Sequence, residues 1–295
     1  MKRIITSRTL KLGDNFAAIK EKIETYPKYA SLKKRKLCEF NPENNELVYR
    51  TEKIYPNRSE HPQRIPVLLL FSNPHPDSVA RGLFLSEPHS RSFWQRLFES
   101  DYLCLPVGGI NLERWDESTL KLLGKLMLEG KYESRFLLYF HCLFPIPTRQ
   151  LADLKRLFKS APHLWAKIER SGMEELGKLT KDERIKHIVV FAGPTFQALT
   201  GASVETYKGW RNKIKHSVDD YLKDRDTGKY WTSLSAGYAK TKLGSNDVDI
   251  YLGLDTWAKN MGKGMGKRYF TWALDMILAK INSPYPSDSL YPLDH

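Results

Sequence analysis

The run Leu70-Phe71-Ser72-Asn73-Pro74-His75-Pro76-Asp77 passes abruptly from apolar to polar residues. Proline after Asn73 keeps that asparagine out of the helical region, so the chain must turn. An amide placed there can orient a water molecule, although it cannot take a proton from it as a carboxylate can. Asp77 and Glu87 are the nearby carboxylates; each can equally be a solvated loop residue or a helix N-cap. Ser86 and the cluster Ser90-Arg91-Ser92 bring hydroxyls and a cation to the start of a helical pattern, which suits a phosphate. A second group of hydroxyls lies in Thr232-Ser233-Leu234-Ser235. Taken alone, Asn73-Pro74 is also explained by an Asx-turn capping its own loop.

The elements that must position these residues follow from the apolar pattern. Pro66–Ser72, Phe136–Phe144, Ile185–Gly193 and Lys229–Ser235 are short apolar runs of strand length. Continuous rather than alternating apolarity predicts strands covered on both faces. Helical patterns over Ser92–Ser100, Glu117–Glu129, Leu151–Ser171 and Thr195–Leu199 lie between them, so a βαβ-type α/β sheet is expected. In such sheets ligands bind at the carboxyl edge, where Asn73 would stand. Residues 1–60 read as a basic extension packing on the core, 61–281 as the main domain and 282–295 as a surface tail.

The chain of 295 residues carries 47 Lys and Arg against 34 Asp and Glu, a net charge of +13. That excess favours a polyanionic partner, since each neutralised phosphate releases condensed counterions. Cys38, Cys104 and Cys142 lack metal-ligand spacing, which argues against an iron–sulfur cluster and for reduced thiols in a cytoplasmic protein. No metal or cofactor is expected, and no stretch has the length and apolarity of a membrane span. The basic run Gly262–Arg268 lacks the strand-then-GK[ST] context of a phosphate-binding loop, which excludes nucleoside triphosphate binding there.

Together the motifs resemble the uracil-DNA glycosylase superfamily. Asn73-Pro74 followed by Phe93-Trp94 is similar to the first motif of its thymine and mismatch-uracil branch, and Arg81-Gly82-Leu83-Phe84-Leu85-Ser86-Glu87-Pro88 looks like the second half of the uracil branch's motif. Pro147-Thr148-Arg149, Phe191–Gly201 and Thr232–Ala239 resemble later segments in the family's order. The resemblance implies a three-layer α/β/α fold around a central, mostly parallel four-stranded sheet. It also implies a monomeric enzyme that hydrolyses the N-glycosidic bond of a base flipped out of double-stranded DNA.

Within that resemblance Asn73 holds the water, with Ser233, Ser235 and Asp77 as further catalytic candidates. Ser72, His75 and Phe84 border the base, while Ser86, Ser90, Arg91, Ser92, Tyr238 and Lys240 contact DNA, Tyr238 as a wedge. The second motif lacks the uracil branch's histidine, so another donor must stabilise the leaving base, a contribution of about 2.7–4 kcal/mol. His75 replaces a tyrosine that excludes bulky 5-substituents, and a pyrimidine enlarged at C5 is therefore expected. The chain is also similar overall to Brig-type antiphage glycosylases, which implies glucosylated hydroxymethylcytosine in viral DNA as substrate. The alternatives are a uracil or mismatched-thymine repair glycosylase and an inactive DNA-binding member. No lysine closely flanks Asn73, as a bifunctional lyase would need.

Overall fold

A small antiparallel sheet opens the chain. β1 (Ile5–Lys11), β2 (Cys38–Asn41) and β3 (Glu46–Glu52) pair in the order β1-β3-β2, with α1 (Phe16–Thr25) and α2 (Ala30–Lys34) between the first two. The computed structural model describes residues 4–98, 102–105, 110–210, 238–253 and 266–282. Residues 4–60 therefore hold a folded layer, with Leu12, Ile19, Leu37 and Leu47 buried. The chain beyond β3 reaches the main sheet, where Ile54 and Phe140 exchange both backbone hydrogen bonds at 3.0 and 2.9 Å.

The main sheet contains β4 (Ile65–Phe71), β5 (Phe136–Cys142), β6 (His187–Val190), β7 (Tyr238–Leu243) and β8 (Asn246–Leu252), in the order β5-β4-β6-β8-β7. β5, β4, β6 and β8 are parallel, and β7 runs antiparallel to β8 at the edge. Every residue of β5 and β6 is buried, as is β4 from Pro66 onward. Both faces are covered, which is why these strands are apolar throughout instead of alternating.

The fold is α/β, with helices α3 (Pro76–Arg81), α4 (Arg91–Phe98), α5 (Glu117–Glu129), α6 (Leu151–Leu157), α7 (Pro162–Asp182), α8 (Gly193–Thr200) and α9 (Gly266–Asn282) flanking the sheet. The helix predicted over Leu151–Ser171 is two helices. Pro162 starts the second one, because a residue without an N–H fits the first turn and not an interior. α5 has its predicted bounds: the Asp116 carboxylate accepts from the Thr119 N–H at 2.9 Å, and Gly130 closes the helix with φ 64°.

The sheet has five strands and mixed direction where four strands were expected. Its extra strand comes from the hairpin β7–β8, turned at Gly244 with φ 61°. The strand expected over Lys229–Ser235 lies outside the described residues. No helix among the described residues is long and apolar enough to cross a membrane.

Candidate active site

The chain leaves β4 for β5 on one side and then crosses back to β6 on the other. Where strand order reverses in this way, the loops leaving the two strands diverge and a crevice opens at their carboxyl ends. Ser72 and Asn73 follow β4; Phe191, Ala192 and Gly193 follow β6. The ladder runs on past the strand ends, with Phe191 N–H donating to Leu70 O at 3.1 Å and Gly253 N–H to Val190 O at 2.7 Å. Phe71 and Phe191 thus lie side by side, their rings stacked with centroids 4.9 Å apart and planes 6° apart. They form an aromatic floor that is itself closed core packing, since Phe71 is 6% exposed and also stacks on Phe140 with centroids 6.3 Å and planes 10° apart. The next residues on the two strands are Ser72 and Ala192, about one strand spacing (~4.8 Å) apart.

Asn73 is held by the loop that follows β5. Its Nδ2 donates to Thr148 O at 2.8 Å and Thr148 Oγ1 at 2.9 Å, while the Thr148 hydroxyl proton goes to Gln150 O at 2.9 Å. A carbonyl and a hydroxyl that has already spent its proton can only accept. The amide orientation is therefore dictated by its surroundings, and Oδ1 is left as an acceptor with no partner among the described residues. Thr148 N–H also donates to Pro74 O at 3.1 Å, and Phe144 N–H to Ser72 O at 2.8 Å, which ties the two loops together. The sequence resemblance gave Thr148 no role, because a bond to Asn73 across 75 residues has no local signature.

His75 Nδ1 lies 2.9 Å from Glu87 Oε1 and 3.2 Å from the Asp77 N–H at the start of α3. One nitrogen cannot both donate and accept. A carboxylate at the shorter distance requires a proton on Nδ1, so the bond to Glu87 is made and the capping bond to Asp77 is not. Glu87, 3% exposed in its side chain, also accepts from Ser78 Oγ and Ser90 Oγ at 2.8 Å each. Burial would raise its carboxyl, but the bond and charge of His75 and the two serine bonds outweigh this and bring it down to about 2. Glu87 is thus an ionised structural acceptor and not a proton donor towards a base. Asp77, the other carboxylate, pairs with Arg35 at 2.7 Å.

The remaining expected residues divide by location. Phe84, expected against the base, is 1% exposed and packs against Phe71 and Phe140, ring centroids 5.7 Å from each, so it belongs to the core. Ser86 and Ser90 are 0% and 1% exposed, too deep for a phosphate, and the Ser90 hydroxyl is spent on Glu87. Arg91 is half-exposed beside Glu113, donating to its carbonyl at 3.2 Å, and Ser92 follows it in the first turn of α4. Tyr238 stands at the carboxyl edge opposite Tyr251, but its hydroxyl donates to Asp249 Oδ1 at 2.6 Å and Lys280 Nζ lies 4.3 Å from its ring centroid. That packing turns it away from a wedge role. Lys240 lines a cavity of about 960 Å³ with Lys181, Arg184 and Lys186 at the amino edge, and is not brought to the crevice. Ser233 and Ser235 lie outside the described residues.

Some buried polar atoms have no hydrogen-bond partner among the described residues. Ser72 Oγ and Thr195 Oγ1 flank the crevice, and Ser86 Oγ and Glu52 Oε2 lie in the surrounding shell. Each such atom costs about 1–3 kcal/mol unless a ligand or water satisfies it. Burial, then the nearby Glu87, raises the Glu52 carboxyl well above its ordinary value. Leu85, between Phe84 and Ser86, is held at φ 50°, a left-handed conformation that costs a bulky residue roughly 1–2 kcal/mol. Trp94 Nε1 braces it by donating to Phe84 O at 3.0 Å and Leu85 O at 3.2 Å.

The crevice therefore combines an oriented acceptor with unsatisfied buried hydroxyls above an apolar floor, which suits a ligand with polar edges. Among the described residues no cluster of His, Cys, Asp and Glu is placed to hold a metal ion. No protein-family model matches the chain, and no curated protein matches it in sequence. The aromatic floor escaped sequence reading because Phe71 and Phe191 are 120 residues apart and each reads as an ordinary core position.

Proposed function

We propose that the protein is a monofunctional DNA glycosylase that hydrolyses the N-glycosidic bond of a flipped-out, modified pyrimidine and leaves an abasic site. The observation that carries this reading is Asn73, whose Nδ2 is held by Thr148 so that Oδ1 is left as an acceptor for a water. Its place at the strand-order reversal, the resemblance of its motif to uracil-DNA glycosylases, the parallel order β5-β4-β6-β8 and the charge of +13 support the same reading.

Cleavage of this bond passes through an oxocarbenium-like sugar. So electrophilic a carbon needs a well-placed water more than a deprotonated one, which fits an amide at this position. His75, at the place of the family's bulk-excluding tyrosine, is bound to Glu87. We assign the substrate to cytosines enlarged at C5, such as glucosylated hydroxymethylcytosine in phage DNA, and hence the protein to antiviral defence.

The test is a set of duplexes carrying uracil, mismatched thymine, hydroxymethylcytosine or its glucosylated form, scored for abasic sites. Cleavage of the glucosylated duplex is expected, with Asn73→Ala at least 100-fold slower and still cooperatively folded, its unfolding temperature lowered only by the loss of its two bonds to Thr148. Cleavage of uracil alone refutes the substrate assignment, and a wild type inert on every duplex refutes the glycosylase.

A further inference from the structure

We infer that the hydroxyls of Thr195 and Ser72, with the opening turn of α8, form a donor pocket for an exocyclic oxygen of the bound base. This rests on the glycosylase reading above and identifies the group that stabilises the leaving base.

Two placements carry the inference. Most buried hydroxyls near the site are satisfied: Ser78 and Ser90 donate to Glu87, and Thr148 to Gln150 O, whereas Ser86 Oγ, in the loop after α3, has no partner among the described residues. Thr195, fully buried, and the Ser72 hydroxyl are the exceptions beside the crevice. They come from adjacent strands: Ser72 directly follows β4, and Thr195 lies in the first turn of the helix that begins three residues after β6. Ser72 and Ala192, the residue that caps α8, are neighbours in the extended ladder.

The start of α8 adds to this. Ala192 offers no capping side chain and Pro194 has no N–H, so the N–H groups of Gly193 and Thr195 remain at the helix's positive end.

In the reaction the C1′–N bond breaks and its electron pair stays on the base, where it spreads to the exocyclic oxygen. The water oxygen held by Asn73 bonds to C1′, and the water's proton passes through solvent to the base. Thr195 and Ser72 donate hydrogen bonds throughout and transfer no proton. Their bonds strengthen as charge grows, which lowers the barrier without a histidine.

Thr195→Val keeps the shape and removes the hydroxyl. On the duplex that the wild type cleaves, kcat is expected to fall about 100-fold. The unfolding temperature should stay equal or rise, because the lost group had no partner. Thr195→Ser should restore most of the rate, and Ser72→Ala should show a smaller loss of the same kind. A readout without turnover is NMR titration with free 5-hydroxymethylcytosine, which the wild type should bind at least tenfold more tightly than Thr195→Val. Wild-type cleavage and base binding in Thr195→Val would overturn this inference alone, as would a rate loss matched by a fall in unfolding temperature. A wild type that neither cleaves nor binds overturns the glycosylase reading and this inference with it.

Discussion

Asn73 is held by a residue from the loop after β5. Thr148 gives it two acceptors, its carbonyl and its hydroxyl, and the hydroxyl accepts because its proton is spent on Gln150 O. Thr148→Val removes one acceptor and leaves the amide free to rotate about its remaining bond. A drop in kcat of about tenfold with KM unchanged is expected, since misplacing a reacting water slows the step without weakening binding. Thr148→Ser should restore kcat. Steady-state kinetics on the cleaved duplex decides the matter, and a change confined to KM would remove Thr148 from the positioning role. Glu87 shows the complementary principle, because a buried carboxylate with three donors serves as a fixed anchor for His75 and the α3 loop.

At the scale of elements, the site depends on how closely α7 lies against the loop after β5. A Cβ added at Gly172 would meet Leu143 O at 2.1 Å, a backbone atom that cannot swing aside. Leu143 N–H in turn donates to Phe71 O at 3.0 Å, beneath the aromatic floor. Gly172→Ala is therefore expected to destabilise the fold by about 1–3 kcal/mol despite alanine's better helix propensity. Urea unfolding measures it; a stabilising substitution would mean that α7 does not pack this closely.

The whole molecule carries its acid sensitivity in its core. Burial pushes the imidazoles of His141 and His187 down to about 4, against the opposing charges of Glu175 and Asp249. Both are neutral in the native state, and the unfolded chain binds their protons more readily, near pH 6.5. Stability is therefore complete above about 6.5 and falls as pH drops towards 4, by at most roughly 3 kcal/mol for each histidine. Unfolding temperature followed from pH 7.5 to 4 should decline mainly within that window, and His141→Gln should flatten the decline. A transition insensitive to pH until below 4 would contradict this.

The strands β4, β5 and β6, the bounds of α5 and the position of Asn73 at a strand end were legible in the sequence, because continuous apolarity, caps and an X-Pro turn are local signals. The sequence showed the hydroxyls and carboxylates near Asn73 but not which of them are buried. It is the tertiary structure that places Phe84, Ser86 and Ser90 in the core, Lys240 at the opposite edge, and Phe191 next to Phe71 at the end of the ladder. Those assignments depend on strand order, and strand order joins residues more than a hundred positions apart that no local pattern links. Asn73 itself was legible as a turn residue; the crossing of β4 to β6 and the two acceptors from Thr148 make it an oriented amide facing a crevice.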